Sequence, residues 1–141
     1  MELSAIIADI AARVATVSPM RKSGEDYYHL RQRSPEHCRF AIDAPEEESA
    51  EGQRQRTEIL VRYDVRLLWA YELPAPVEEE RVDRVGVLTD MQRQILIAVM
   101  SLAPGAAYRI DRYSGASRTA GPNAWIWTEM KFRVFATQLL S

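Results

Sequence analysis

Residues 57–72, TEILVRYDVRLLWAYE, place Ile59, Val61, Tyr63, Val65, Leu67, Trp69 and Tyr71 on every odd position. Glu58, Arg62, Asp64, Arg66 and Glu72 fall on the even ones, together with Leu60, Leu68 and Ala70. A period of two sustained for this long predicts a β-strand with one continuous apolar face. At roughly 3.3 Å per residue such a strand reaches about 50 Å, well past the usual length. It therefore predicts an element that projects beyond its own core, which points toward assembly.

The remaining chain must supply partners for that strand. A length of 141 residues predicts a single domain spanning 1–141, with one sizeable core. A hydrophobic fraction of 47% against 27% charged residues predicts a folded globular chain, since disordered segments lack that apolar content. The formal net charge of -2 gives no overall electrostatic pull toward nucleic acid, although a local basic patch is compatible with it. Cys38 is the only cysteine, which excludes an internal disulfide and a cysteine-rich zinc site. Its place beside a strand predicts a small buried or half-buried apolar residue, in preference to a reactive thiol. The N-terminal MELSAIIADIAARVATV lacks a basic leader, and no window approaches the roughly 18 apolar residues of a membrane span. These features predict a chain made and kept in a cytoplasm-like compartment, unless it leaves within a larger particle.

Two helices and further strands follow from spacing. Leu3, Ile6, Ile7, Ile10, Ala11, Val14 and Val17 recur at three and four, predicting a helix over about 2–17. Val82, Val85, Leu88, Met91, Ile95, Val99 and Leu102 do the same behind Glu78, Glu79 and Glu80, predicting a second helix over about 78–102. Gly86 inside it marks a close approach or a break. Cys38, Phe40 and Ile42 predict a short strand, and Tyr108 and Ile110 another. Residues 113–123 read as a loop because their residues are small and turn-forming. The segment 124–141, AWIWTEMKFRVFATQLLS, predicts a second long strand. The fold class expected is α+β: an antiparallel sheet with two long strands and both helices on one face.

Interaction candidates lie at the ends of these strands. Within 45–57, residues 46–56 carry no apolar side chain larger than alanine, and they run from acidic Glu46, Glu47 and Glu48 to basic Arg54 and Arg56. This predicts a charged hairpin tip suited to a partner, or simply a solvated loop. Trp125 and Trp127 share a strand face with Glu129, Lys131 and Arg133, so they are candidates for an interface or for core near the strand end. Residues 20–36 interleave Arg21, Lys22, Arg31 and Arg33 with Tyr27 and Tyr28, a mixture found on single-strand nucleic-acid surfaces and also in plain connections.

Catalytic signals are lacking. No carboxylate pair stands in an apolar surround, and Asp64 between Arg62 and Arg66 reads as an ion-paired surface residue. His29 and His37 have no metal-ligand spacing, and no nucleotide-binding glycine pattern occurs. The chain is expected to be non-enzymatic, without cofactor or metal.

The order of helix, strand, charged tip, very long strand, helix, short strand and long terminal strand resembles the tail terminator (tail completion) proteins of long-tailed bacteriophages and phage-like particles. The resemblance rests on that order, on the length, and on TEILVRYDVRLLWAYE and WTEMKFRVFATQLL. It implies a structural virion subunit, assembled in the host cytoplasm, that forms a hexameric ring on the finished tail tube and presents a joining surface to the head connector. Its implied partners are further copies of itself, the tail tube protein and a head-completion protein. It implies no membrane and no specific nucleic acid, DNA at most passing through the ring. Other neck subunits, such as head-closure or adaptor proteins, share this assembly logic. A small cytoplasmic ligand-binding or enzymatic α+β domain is the reading from a different class.

Overall fold

The computed structural model describes residues 2–24, 27–32, 35–49, 58–72, 81–101, 108–120 and 125–139. The fold is α+β. Its elements in chain order are α1 (Leu3–Ala15), β1 (Arg21–Lys22), α2 (Tyr27–Gln32), β2 (Arg39–Ser49), β3 (Glu58–Glu72), α3 (Arg81–Met100), β4 (Tyr108–Ala120) and β5 (Trp125–Leu139). They build one five-stranded sheet in the order β1-β2-β3-β5-β4. Each neighbouring pair from β2 through β3 and β5 to β4 is antiparallel, whereas β1 joins β2 in parallel through two register pairs.

The predicted long strands are β3 and β5, paired without interruption from Glu58↔Leu139 to Glu72↔Trp125. Thr57 and residues 140–141 lie outside the described residues. Two of the short elements are longer than their apolar content suggests. β2 continues through Glu46, Glu47 and Glu48 to Ser49, so these acids stand in a strand instead of a hairpin tip. Its register shifts between Asp43 and Glu46, where β2 advances three residues while β3 advances two. Such a one-residue bulge reverses which face each later side chain takes, and it accommodates Pro45 because the outer side of an edge strand needs no ladder donor there. The region read as a loop over 113–123 is strand as far as Ala120. Its small residues are held by backbone pairing to β5 and need no buried side chain, so hydrophobic alternation gives no warning of them. Residues 121–124 lie outside the described residues, as do 50–57, with Arg54 and Arg56, and 73–80, with Glu78, Glu79 and Glu80.

Both long helices cover one face. Ile6, Ile10, Ala11 and Val14 of α1 and Leu88, Met91, Ile95 and Val99 of α3 close over Phe40, Val61, Val65, Leu67, Trp69, Met130, Phe132 and Val134. The core face of β3 is the odd-numbered one expected from its alternation. Polar contacts tie α1 to β4 and to the end of α3. Tyr108 donates to Asp9 of α1 at 2.5 Å, and Arg13 donates to the Ser101 carbonyl at 2.5 Å, where the negative end of α3 favours a cation. Gly86 neither breaks α3 nor marks a close approach: a Cβ there meets no atom within 4 Å. Gly86→Ala is accordingly expected to raise stability by about 1 kcal/mol, read from urea melts, because alanine removes backbone freedom from the unfolded chain.

The opposite face carries a second, smaller cluster. Residues 20–36 are not a plain connection, since they hold β1 and α2. Tyr27 and Leu30 of α2 bury against Ala41, Leu68, Ala70 and Trp127. The Tyr27 hydroxyl hydrogen-bonds the Glu129 carboxylate, while Tyr28 stays 58% exposed. This cluster explains why Leu68 and Ala70 interrupt the polar side of the β3 alternation.

Candidate interaction surfaces

β2 forms one flank of the main sheet. β1 accompanies it only at Arg39 and Phe40, so from Ala41 to Ser49 its outer side has no strand partner among the described residues. This strand carries Asp43, Glu46, Glu47 and Glu48 against Arg39 alone. Glu47 and Glu48 are exposed, and Glu48 pairs with Arg62 on β3. The register sets Glu46 opposite Asp64. β4 is the opposite edge, with no outer strand partner among the described residues, and it reverses the charge: Arg109, Arg112 and Arg118 against Asp111. Arg109 lies over the Phe135 ring at 5.3 Å, and Arg118 donates to Gln92 of α3 at 2.8 Å.

The two tryptophans separate. Trp127 is 8% exposed and belongs to the second cluster, so within this chain it is core. Trp125 is half-buried at the margin of that cluster, 6.4 Å from the His37 ring. His37 accepts a hydrogen bond from the Glu72 amide at 3.1 Å through Nδ1, which ties the chain before β2 to the end of β3.

Beyond α2, the face of the sheet opposite α1 and α3 is charged. Arg62, Asp64 and Arg66 on β3 meet Arg133, Lys131 and Glu129 on β5, with Arg112 on β4. Sequence alternation placed the β3 and β5 residues on polar faces but gave no register and left Arg112 unassigned, so their convergence was not readable. Cys38 is fully buried, as expected, and burial pushes its thiol up to about 11 against the pull of Arg21. Burial likewise raises Tyr108 well above the usual tyrosine range, with the Asp9 carboxylate adding to the effect. No cluster of three His, Cys, Asp or Glu residues able to hold a metal occurs among the described residues. No described helix is long and apolar enough to cross a membrane.

No family model matches this chain, and no curated protein matches it in sequence.

Proposed function

We propose that this chain is a structural, non-catalytic subunit that associates head to tail into a closed ring, of the kind that caps a phage or phage-like tail tube and receives the head connector. The observation that carries the reading is the pair of open sheet edges with opposite charge, acidic on β2 and basic on β4. β2 and β5 run one way, β3 and β4 the other. A second copy placed alongside in the same orientation therefore sets its β2 antiparallel to the first copy's β4, where backbone groups can complete a ladder. Different patches meet at such a contact, so it is heterologous and closes into a ring when the rotation per copy allows. Opposite charges steer the two edges together and set like edges apart. A cavity of about 520 Å³, lined by Ile7, Ala11, Phe40 and Ile42 among others, adjoins the β2 edge and offers apolar surface for a neighbour's side chains. Within the phage reading, the virion tail is the site of action, and the tail tube protein and head-completion protein are the further partners.

Light scattering of the 16.1 kDa chain, alone and with assembled tail tubes, tests this. A closed oligomer of about six copies is expected, by the family resemblance and the closure of heterologous contacts. Glu47→Lys with Glu48→Lys should weaken association about tenfold at low salt and much less at about 0.5 M salt, where exposed charges are screened. Adding Arg109→Glu and Arg118→Glu to that variant should recover association. A chain that stays monomeric under all of these conditions overturns the proposal.

A further inference from the structure

The face opposite α1 and α3 holds a further feature, which shares only Arg112 with the basic β4 edge. A cavity of about 230 Å³ opens there, lined by Asp64, Arg66, Arg112, Ser114, Lys131 and Arg133 among its residues. Four cations meet one carboxylate in this lining. Their register is costly: Arg66 is directly opposite Lys131, and Arg112 is directly opposite Arg133. Like charges facing each other across strands destabilise a sheet, so two adjacent pairs of this kind need a compensating anion.

The described residues supply that compensation only in part. Asp64 Oδ1 lies 3.9 Å from Arg133 Nε, too far for a hydrogen bond, and that Nε is buried with no acceptor. Lys131 lies 3.7 Å from Glu129, whose carboxylate already accepts from Tyr27. Arg66 faces Asp43 across β2 but forms no ion pair with it, and the ion pairs among the described residues leave Arg66 and Arg112 without a carboxylate.

Local backbone geometry opens the space. The β4 register shifts between Tyr113 and Gly115, which brings Ser114 to the lining and sets Gly115 opposite Lys131. Gly115 has φ +120, a conformation that side-chain-bearing residues rarely adopt, and no atom lies within 4 Å of the Cβ position. The sheet face is therefore notched beside Lys131, where an ordinary residue would fill the gap.

We propose that this notch is an oxyanion site that takes a phosphate group. Guanidinium forks from β4 and β5, the Arg66 guanidinium from β3, the Lys131 ammonium and the Ser114 hydroxyl present donors from three strands to one small volume. That set suits the several acceptor oxygens of a phosphate better than the two of a single carboxylate. Free pyrophosphate and a polynucleotide backbone present the same chemistry.

Titration calorimetry and thermal melts with inorganic pyrophosphate, and separately with a short single-stranded oligonucleotide, test the site at matched ionic strength. The wild-type chain should bind at least one probe and melt higher in its presence. Arg112→Gln and Lys131→Gln, both at exposed side chains, should each weaken that binding about tenfold, the worth of one charge-assisted hydrogen bond. Their melting temperatures without the probe should be unchanged or higher, since each substitution removes a like-charge pair. Arg118→Gln is the control, because Arg118 reaches α3 on the other side of the sheet and should leave binding intact. Pyrophosphate binding identifies a free phosphate ligand, and binding of the oligonucleotide alone identifies a backbone phosphate. Equal loss in all three variants, or no binding of either probe, overturns the site.

Discussion

Trp69→Ala is expected to lower stability by about 3–5 kcal/mol, the usual cost of removing a large buried aromatic group and leaving a cavity. For a domain of this size that corresponds to a melting point lower by about 10–20 °C. Trp69 is fully buried at the middle of the sheet, opposite Phe40 on β2 and Thr128 on β5. Its indole N–H points to the Met130 sulfur at 3.5 Å, and Tyr71 meets it edge-on with ring centroids 6.2 Å apart. No neighbour can collapse into the space without moving one of three paired strands. Trp125→Ala is the matched comparison, since Trp125 is half-buried at the sheet margin and should cost less than half as much. Because total stability is usually about 5–15 kcal/mol, the Trp69 variant should also unfold at a much lower urea midpoint. Similar melting points for the two variants would show that the core does not centre on β3.

That centring was legible in the sequence because burial on β3 follows residue parity. Val61, Tyr63, Val65, Leu67 and Trp69 are all core, and the spacing of Ile6, Ile10 and Val14 or Leu88, Met91, Ile95 and Val99 marks the helices that cover them. Residues 46–49 and 113–120 were not legible as strand, and the reason is physical. Beyond the helices a strand needs no apolar side chain, because backbone pairing to an already ordered neighbour holds it. Glu47 beside Tyr63 and Ser117 beside Glu129 leave no hydrophobic trace. α2 was obscured for another reason. Among its described side chains it buries Tyr27 and Leu30, too few positions to establish a helical period.

The interaction candidates divide along the same line. Glu46, Glu47 and Glu48 announced themselves as a charge run, and their place on an edge strand gives that run a fixed orientation. Trp127 looked like a candidate for an interface because large aromatic groups on a mixed face have no evident cover in sequence, and α2 is that cover. The cationic notch could not be seen, because it depends on which residue of β5 stands opposite which residue of β3 and β4. Two bulges in β4 set that register, and bulge positions have only weak local signatures.

Alkaline conditions should destabilise the fold steeply. Burial raises Cys38 from 9.0 to about 11 and also raises Tyr63, Tyr71 and Tyr113 above 10.0, with Tyr108 raised furthest. Each of these groups is neutral when protonated, and burial penalises the anion that forms on losing the proton. Below pH 9 both folded and unfolded chains hold these protons, so the full stability is present. Between pH 9 and 11 the unfolded chain releases the Cys38 proton while the folded chain keeps it, and stability falls as pH rises. Cys38 alone should account for a loss of about 2 kcal/mol by pH 11. Above pH 10 buried Tyr108 adds up to about 1.4 kcal/mol per pH unit for as long as it stays protonated in the fold. Tyr71 and Tyr113 are half-buried and contribute less. Urea melts at pH 8, 9, 10 and 11, read alongside tyrosinate absorbance, should show a declining midpoint with ionisation appearing together with unfolding. Cys38→Ala should flatten the decline between pH 9 and 10 and leave the steeper fall above pH 10, where Tyr108 dominates. A midpoint that holds constant from pH 8 to 11 would mean that these hydroxyls and the thiol ionise freely in the fold, against the burial that encloses them.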